Sequence, residues 1–183
     1  LFLHFEAIAR ETDLPLVLYN VPSRTSVNML PETVARLAKI PNIVAVKEAS
    51  GSMDQVSQIV ASCRPDFAVL SGDDSLTLPM LSLGGTGVVS VVGNIAPGPM
   101  SEMVRAFRSG NLARARALHY QLFDLCRAMF VETNPIPVKT AAGILGLCSP
   151  ELRLPMCPLS DANRQKLEQV LKTSPVLQPA AAS

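Results

Sequence analysis

The sequence predicts an α/β fold: part of a (β/α)-barrel with a small helical domain behind it. Three observations carry this. Four short apolar runs, at 14–20, 42–50, 67–74 and 87–94, each precede a segment with helix signals. Their starts lie 20 to 28 residues apart, the spacing of βαβ units, which imply a parallel sheet with helices outside it. No Gly-rich dinucleotide fingerprint follows any strand, since "SGDDS" and "GGTG" have neither the spacing nor the position of one. Consecutive units without that fingerprint fit a barrel better than a doubly wound sheet. A complete barrel takes about 250 residues and eight units, and four units are present.

The elements follow in order. "LFLHFEAIAR" is a helix from its first residues, with Phe2, Phe5, Ile8 and Ala9 at helical spacing. It carries no signal-peptide pattern and looks like a piece of a longer protein. "LPLVLYN" (14–20) is the first strand. Pro31 at a first-turn position, with Glu32 beside it, starts a helix over 30–40. "NIVAVKEAS" (42–50) is the second strand, and Ser52 is the N-cap candidate of a helix over 52–63. "FAVLSGDD" (67–74) leads to a helix over 74–85 that ends in glycines suited to a C-cap. "GVVSVVGN" (87–94) leads to a helix over 96–111. A long helix over 111–132 follows, with Leu112, Ala115, Leu118, Leu122, Leu125 and Met129 on one face, and two more over 134–147 and 160–173. The expected organisation is a half-barrel over 1–109, a helical domain over 110–173 and a disordered tail over 174–183.

Composition excludes several classes. The 183 residues suffice for a real core, with 48% hydrophobic and 17% charged residues. Net charge is +1, with no basic stripe and no aromatic–basic interleaving, so no nucleic-acid partner is expected. No apolar run approaches the roughly 20 residues of a membrane helix. Cys63, Cys126, Cys148 and Cys157 form no CxxC pair and read as thiols in a reducing cytoplasm. His4 and His119 sit in helical patterns without ligand spacing, so no metal is expected.

One stretch raises a chemical question. The β-branched run Ile43–Val46 reads as a strand buried on both faces, yet it ends in Lys47 and Glu48. Lysine is among the residues least often buried. In a barrel, catalysis sits at the C-terminal strand ends. Those positions hold Tyr19 and Asn20, Lys47 and Glu48, Ser71 to Asp74, and Gly93 and Asn94, with Arg24 five residues beyond Tyr19. A lysine desolvated in a pocket keeps a neutral amine able to form a Schiff base with a ketone. The iminium is an electron sink, a phenol can carry the proton a neighbouring carbon loses, and a guanidinium can grip a carboxylate. Each residue alone also has a bland account. Lys47 can be solvated or paired, Tyr19 can be core with its hydroxyl reaching out, and Arg24 can be a surface residue. Glu48 can pair with a cation or bond backbone, and Asp73 and Asp74 can cap the next helix.

Taken together, "LYNVPSRT" (18–25), "VKEASG" (46–51), "LSGDD" (70–74), "GGTGVVSV" (84–91) and "NPIPVK" (134–139) resemble the dihydrodipicolinate synthase family across nearly the whole chain. The resemblance implies a (β/α)8 TIM barrel of the pyruvate-dependent Schiff-base aldolase type. This chain would be its C-terminal half-barrel, strands five to eight, plus the C-terminal helical domain. It implies condensation of pyruvate with aspartate semialdehyde in lysine biosynthesis, without a cofactor, in a cytoplasmic homo-oligomer, usually a homotetramer. Lys47 matches the Schiff-base lysine and Tyr19 the proton-shuttling tyrosine. Arg24 matches the arginine that binds the semialdehyde carboxylate. Val89 matches the position whose main chain contacts pyruvate, and Gly72 the glycine of the "SGD" turn at the site. On this pattern the strand ends in lysine because the barrel floor desolvates its amine. The family's first four strands, with a threonine pair and a second tyrosine, have no counterpart here. Sialic-acid lyases and sugar-acid aldolases share the lysine and tyrosine, and an inactive half-barrel is the remaining alternative. The "PSRT" arginine favours the synthase. Ser26 stands where many synthases have glycine.

Overall fold

The computed structural model of the chain describes residues 1–178 and resolves them into two compact units, Leu1–Val89 and a second that begins at Ser90. The first unit is a four-stranded parallel sheet with its strands in sequence order: β1 (Leu16–Asn20), β2 (Ile43–Glu48), β3 (Ala68–Ser71) and β4 (Gly87–Val88). Helices α1 (Phe2–Arg10), α2 (Pro22–Thr25), α3 (Pro31–Leu37), α4 (Met53–Ser62) and α5 (Thr77–Ser82) precede or separate the strands. The order lacks the reversal that marks a doubly wound sheet.

The strands form where β-branched residues run together, and one face is covered. Leu18, Ile43, Val46 and Val69 project from the sheet into a core with Ala9, Val34, Leu37, Val56, Ile59 and Met80. Alternation along the strands sends the next residues to the other face. There Val17 is 51% and Tyr19 46% exposed. Local caps fix the helices as read. Ser52 Oγ accepts from the Gln55 N–H at 3.2 Å. Asn42 Nδ2 donates to the carbonyls of Ala9 and Thr12 at 2.9 and 2.8 Å, which ties the end of α1 to the start of β2. Gly84 beyond α5 takes φ +102°, where a side chain would be strained.

Three expectations change. The run 87–94 contributes only Gly87 and Val88 to the ladder, and Val92–Asn94 close a 3₁₀ turn instead. The segment 21–26 carries the unexpected short helix α2, because Pro22 at its first turn pre-sets the helical φ. The division into compact units falls at Val89/Ser90, earlier than the expected boundary at 109/110. The helix over Pro97–Arg108 (α6) packs along the helix over Leu112–Ala128 (α7), so it groups with the helices that follow it.

In the second unit α6, α7, α8 (Ile136–Ile144) and α9 (Asp161–Thr173) bury Met103, Ala115, Leu118, Leu122, Leu125, Met129, Leu167 and Leu171. The face read for α7 is buried except at Leu112, which lies at the helix start and is exposed. Glu132 Oε1 accepts from the Ser160 N–H and Oγ and from Asn163 Nδ2, tying the segment after α7 to the start of α9. Those hydrogen bonds, from Ser160 first, hold the Glu132 carboxyl below its ordinary range. His119 packs against Tyr120 and Phe123, and burial pushes its imidazole below the usual range. Of the expected disordered tail, Ser174 is buried and the Leu177 N–H donates to its carbonyl. Residues 179–183 of that expectation lie outside the described residues.

Candidate functional site

The parallel register of β1 and β2 sets Tyr19 opposite Lys47 and Asn20 opposite Glu48. Alternation then does the sorting. Tyr19 and Lys47 point to the face away from the helices, and Asn20 and Glu48 point into the core, where each is 2% exposed. The Lys47 amine lies over the Tyr19 ring, 4.0 Å from its centroid. This contact seats the lysine head on the face of the phenol ring. Lys47 is half-buried rather than enclosed. The expected desolvating pocket is therefore not made by the strands of this unit, because they cover the lysine from the side and not from above.

Gly72 closes the far side. Its N–H donates to the Glu48 carbonyl at 2.8 Å. A Cβ there would lie 2.7 Å from Ala49 Cβ and 3.2 Å from Lys47 Cε. The close approach, not backbone dihedral freedom, requires glycine. Gly72→Ala therefore forces Ala49 to shift and presses on the lysine stem. We expect kcat/KM of the full-length protein to fall about tenfold, less than the roughly 10²-fold cost of a full 1 Å misplacement. Steady-state kinetics checks it.

Arg24 sits on α2, directly after β1, at the same end of the sheet as Lys47, and it is exposed. Ser26, which ends α2, takes φ +57°, the left-handed conformation that glycine favours. Val89 follows β4, is 44% exposed, and donates its N–H to the Ser71 carbonyl at 2.9 Å. The structure thus brings Lys47, Tyr19 and Gly72 together and sets Arg24 and Val89 beyond the same ends of their strands. Asp73 has the bland role, its Oδ1 accepting from the Ser75 N–H at 3.0 Å.

The sequence reading missed a polar cluster behind these residues. Glu48 accepts from Asn20 Nδ2 at 3.2 and 2.9 Å, from Gln55 Nε2 at 3.0 Å and from the Ser50 N–H at 2.6 Å. Asn28 joins both amides: its Oδ1 accepts from Asn20 at 2.9 Å and its Nδ2 donates to Gln55 at 2.9 Å. The signal was present: Asn20 follows Leu18, and Glu48 follows Val46, at the period-two positions that face the core.

Among the described residues no cluster of His, Cys, Asp or Glu suits a metal, and no helix is long and apolar enough to cross a membrane. The cysteines are free thiols, and burial pushes that of Cys63 above its ordinary range against the pull of Arg64.

Comparison with known proteins gives the family. The model of the dihydrodipicolinate synthetase family matches residues 1–174. The 4-hydroxy-tetrahydrodipicolinate synthase of Methanothrix thermoacetophila is 60% identical over 172 residues, 93% of this chain and 58% of that protein. The synthase of Thermomicrobium roseum is 58% identical, over 96% of this chain and 58% of that one. The crystal structure of dihydrodipicolinate synthase from Thermotoga maritima superposes with a TM-score of 0.93 at 47% identity, covering 96% of this chain and 61% of that one. The Aquifex aeolicus structure gives 0.91 at 49% identity, covering 93% and 59%. The chain thus spans about three-fifths of the length of the relatives it matches. With a family model matched over nearly its whole length, the chain belongs to the dihydrodipicolinate synthetase family.

Proposed function

We propose that this chain carries the Schiff-base machinery of a 4-hydroxy-tetrahydrodipicolinate synthase, and that the observation bearing most of the weight is the Lys47 amine held over the Tyr19 ring. The Lys47 amine adds to the C2 carbonyl of pyruvate and water leaves, giving an iminium. The methyl carbon then loses a proton and becomes a nucleophilic enamine. Tyr19 is the proton carrier at the imine. The enamine carbon attacks the aldehyde carbon of aspartate semialdehyde, forming the new C–C bond. The semialdehyde's own amine then displaces Lys47 from the imine carbon, which closes the ring and returns the free lysine. Arg24 binds the semialdehyde carboxylate as a fork. The Val89 main chain borders the pyruvate subsite; its N–H is committed to Ser71, so its carbonyl is left to accept from the N–H of the lysine iminium. Gly72 leaves room for the lysine stem. Catalysis is covalent and draws on no cofactor.

The finer architecture belongs to the same proposal. Four parallel strands in sequence order, with helices on one face only, are four consecutive units of an eight-stranded barrel. We take them as its C-terminal half, with α7 to α9 as the helical appendage, and the remaining units as the roof that desolvates Lys47. The full protein is read as a cytoplasmic homo-oligomer, which its solution mass tests. The function is tested by assaying full-length protein with pyruvate and either aspartate semialdehyde or a sugar-acid aldehyde. Turnover of the semialdehyde is expected. Turnover of the sugar acid alone would overturn the assignment.

A further inference from the structure

We infer that the cluster of buried Glu48, Asn20 and Gln55, with exposed Asn28 at its edge, positions the loop that carries Arg24, and so tunes the acceptor end of the site without serving the imine-forming step. This rests on the function proposed above. All four residues lie on the side of the sheet opposite Lys47 or beside it on the loop, so none is placed to touch pyruvate.

The cluster has an internal logic. A carboxylate only accepts, so both Asn20 and Gln55 must turn their NH2 groups toward Glu48. That choice fixes their carbonyl oxygens. Asn20 Oδ1 accepts from the Met29 N–H at 2.8 Å. Gln55 Oε1 accepts from Asn28 Nδ2 at 2.9 Å. Gln55 Nε2 also reaches the Met29 carbonyl at 3.4 Å. The loop leaves the sheet at Asn20 and returns at Asn28 and Met29, and both ends are bonded to the same carboxylate-centred group. Arg24 lies between those ends, on a helix of four residues whose side chains are not buried. With no buried side chain to fix it, the short helix is positioned in part by what holds its ends. The Asn28 side chain is the member that links the loop to both amides, and its residue is exposed, so it can be changed without opening the core.

The test uses the full-length protein with Asn28→Ala and, as an isosteric second variant, Asn28→Asp, which keeps the acceptor and removes the donor to Gln55. We expect KM for aspartate semialdehyde to rise about tenfold, the effect of losing part-buried hydrogen bonds to the Asn20 and Gln55 amides. KM for pyruvate and the rate of the borohydride-trapped pyruvate adduct are expected to stay within about twofold of the parent. Combining Asn28→Ala with Arg24→Ala is expected to add less than the two single effects together, because both act through one group. Trypsin cleavage after Arg24 is expected to quicken, a readout of loop position that needs no turnover. A purely structural role would lower adduct formation and semialdehyde use in parallel. That outcome overturns the inference, as does an unchanged KM for semialdehyde in both variants. Failure of the unsubstituted protein to form any pyruvate adduct would instead overturn the proposed function. Trypsin sensitivity would then decide the loop-positioning claim by itself.

Discussion

Lys47→Arg in the full-length protein is expected to lower kcat at least about 10³-fold, the scale seen when a covalent nucleophile is removed. The substitution is informative because it preserves so much. A guanidinium keeps the positive charge and can keep the cation–π contact with Tyr19. It cannot give up its proton at any accessible pH, so it offers no lone pair to a ketone. Thermal stability is expected to stay within about 1 kcal/mol of the parent, since the lysine is half-buried and fills no core position. Steady-state kinetics with a thermal melt separates the two readouts. Loss of activity with an intact fold is the expected pair. Retained activity would mean that Lys47 is not the nucleophile.

Glu48→Ala, one residue further on, is expected to do the reverse and strike stability first. Glu48 is 2% exposed and accepts from Asn20, Gln55 and Ser50. Its removal takes an acceptor from three donors: the Asn20 and Gln55 amides keep bonds to Asn28 and to the Met29 carbonyl, while the half-buried Ser50 N–H loses its partner, at about 1–3 kcal/mol per group left short, with water entry recovering part of it. We expect a net loss of about 3 kcal/mol, read as a fall in the urea midpoint at constant m-value. Glu48→Gln is expected to cost about half as much, because one oxygen still accepts while the new NH2 faces a donor. Two neighbours on one strand thus separate chemistry from stability, for the simple reason that successive side chains point to opposite faces. A Glu48→Ala variant as stable as the parent would contradict the network.

The same alternation explains what the sequence revealed and what it withheld. The four strands and their helices were legible because apolar residues recur at the period of each element. Leu18 and Val46 in the strands, and Val56 and Ile59 in α4, all reached the core. β4 was over-read because "GVVSVV" has strand composition, whereas Val91 and Val92 turn into the 3₁₀ segment that leads to α6. α2 was missed because four residues are too few to show a helical period. Of the site, Lys47 and Tyr19 stood out as polar groups ending apolar runs, and register brought them together. Of the two bland accounts of Glu48, a cation pair or a backbone bond, the backbone bond is present, from the Ser50 N–H, beside the amides of Asn20 and Gln55. The amide partners were not legible, because which Asn or Gln meets a buried carboxylate depends on how α4 and the loop after β1 pack. The enclosure of Lys47 was read from the family pattern. Four strands alone leave its face uncovered, as the exposure of Val17 and Tyr19 shows.

The central claim is that Lys47 is the carbonyl-reactive amine. The measurement that tests it most directly is borohydride reduction of full-length protein in the presence of pyruvate, with the adduct located by peptide mass spectrometry beside Lys47→Ala. A single adduct on the peptide containing Lys47, lost in the variant, is the predicted result. An adduct on another lysine such as Lys139 of the helical unit, or no adduct on a protein that turns over pyruvate, would contradict the claim.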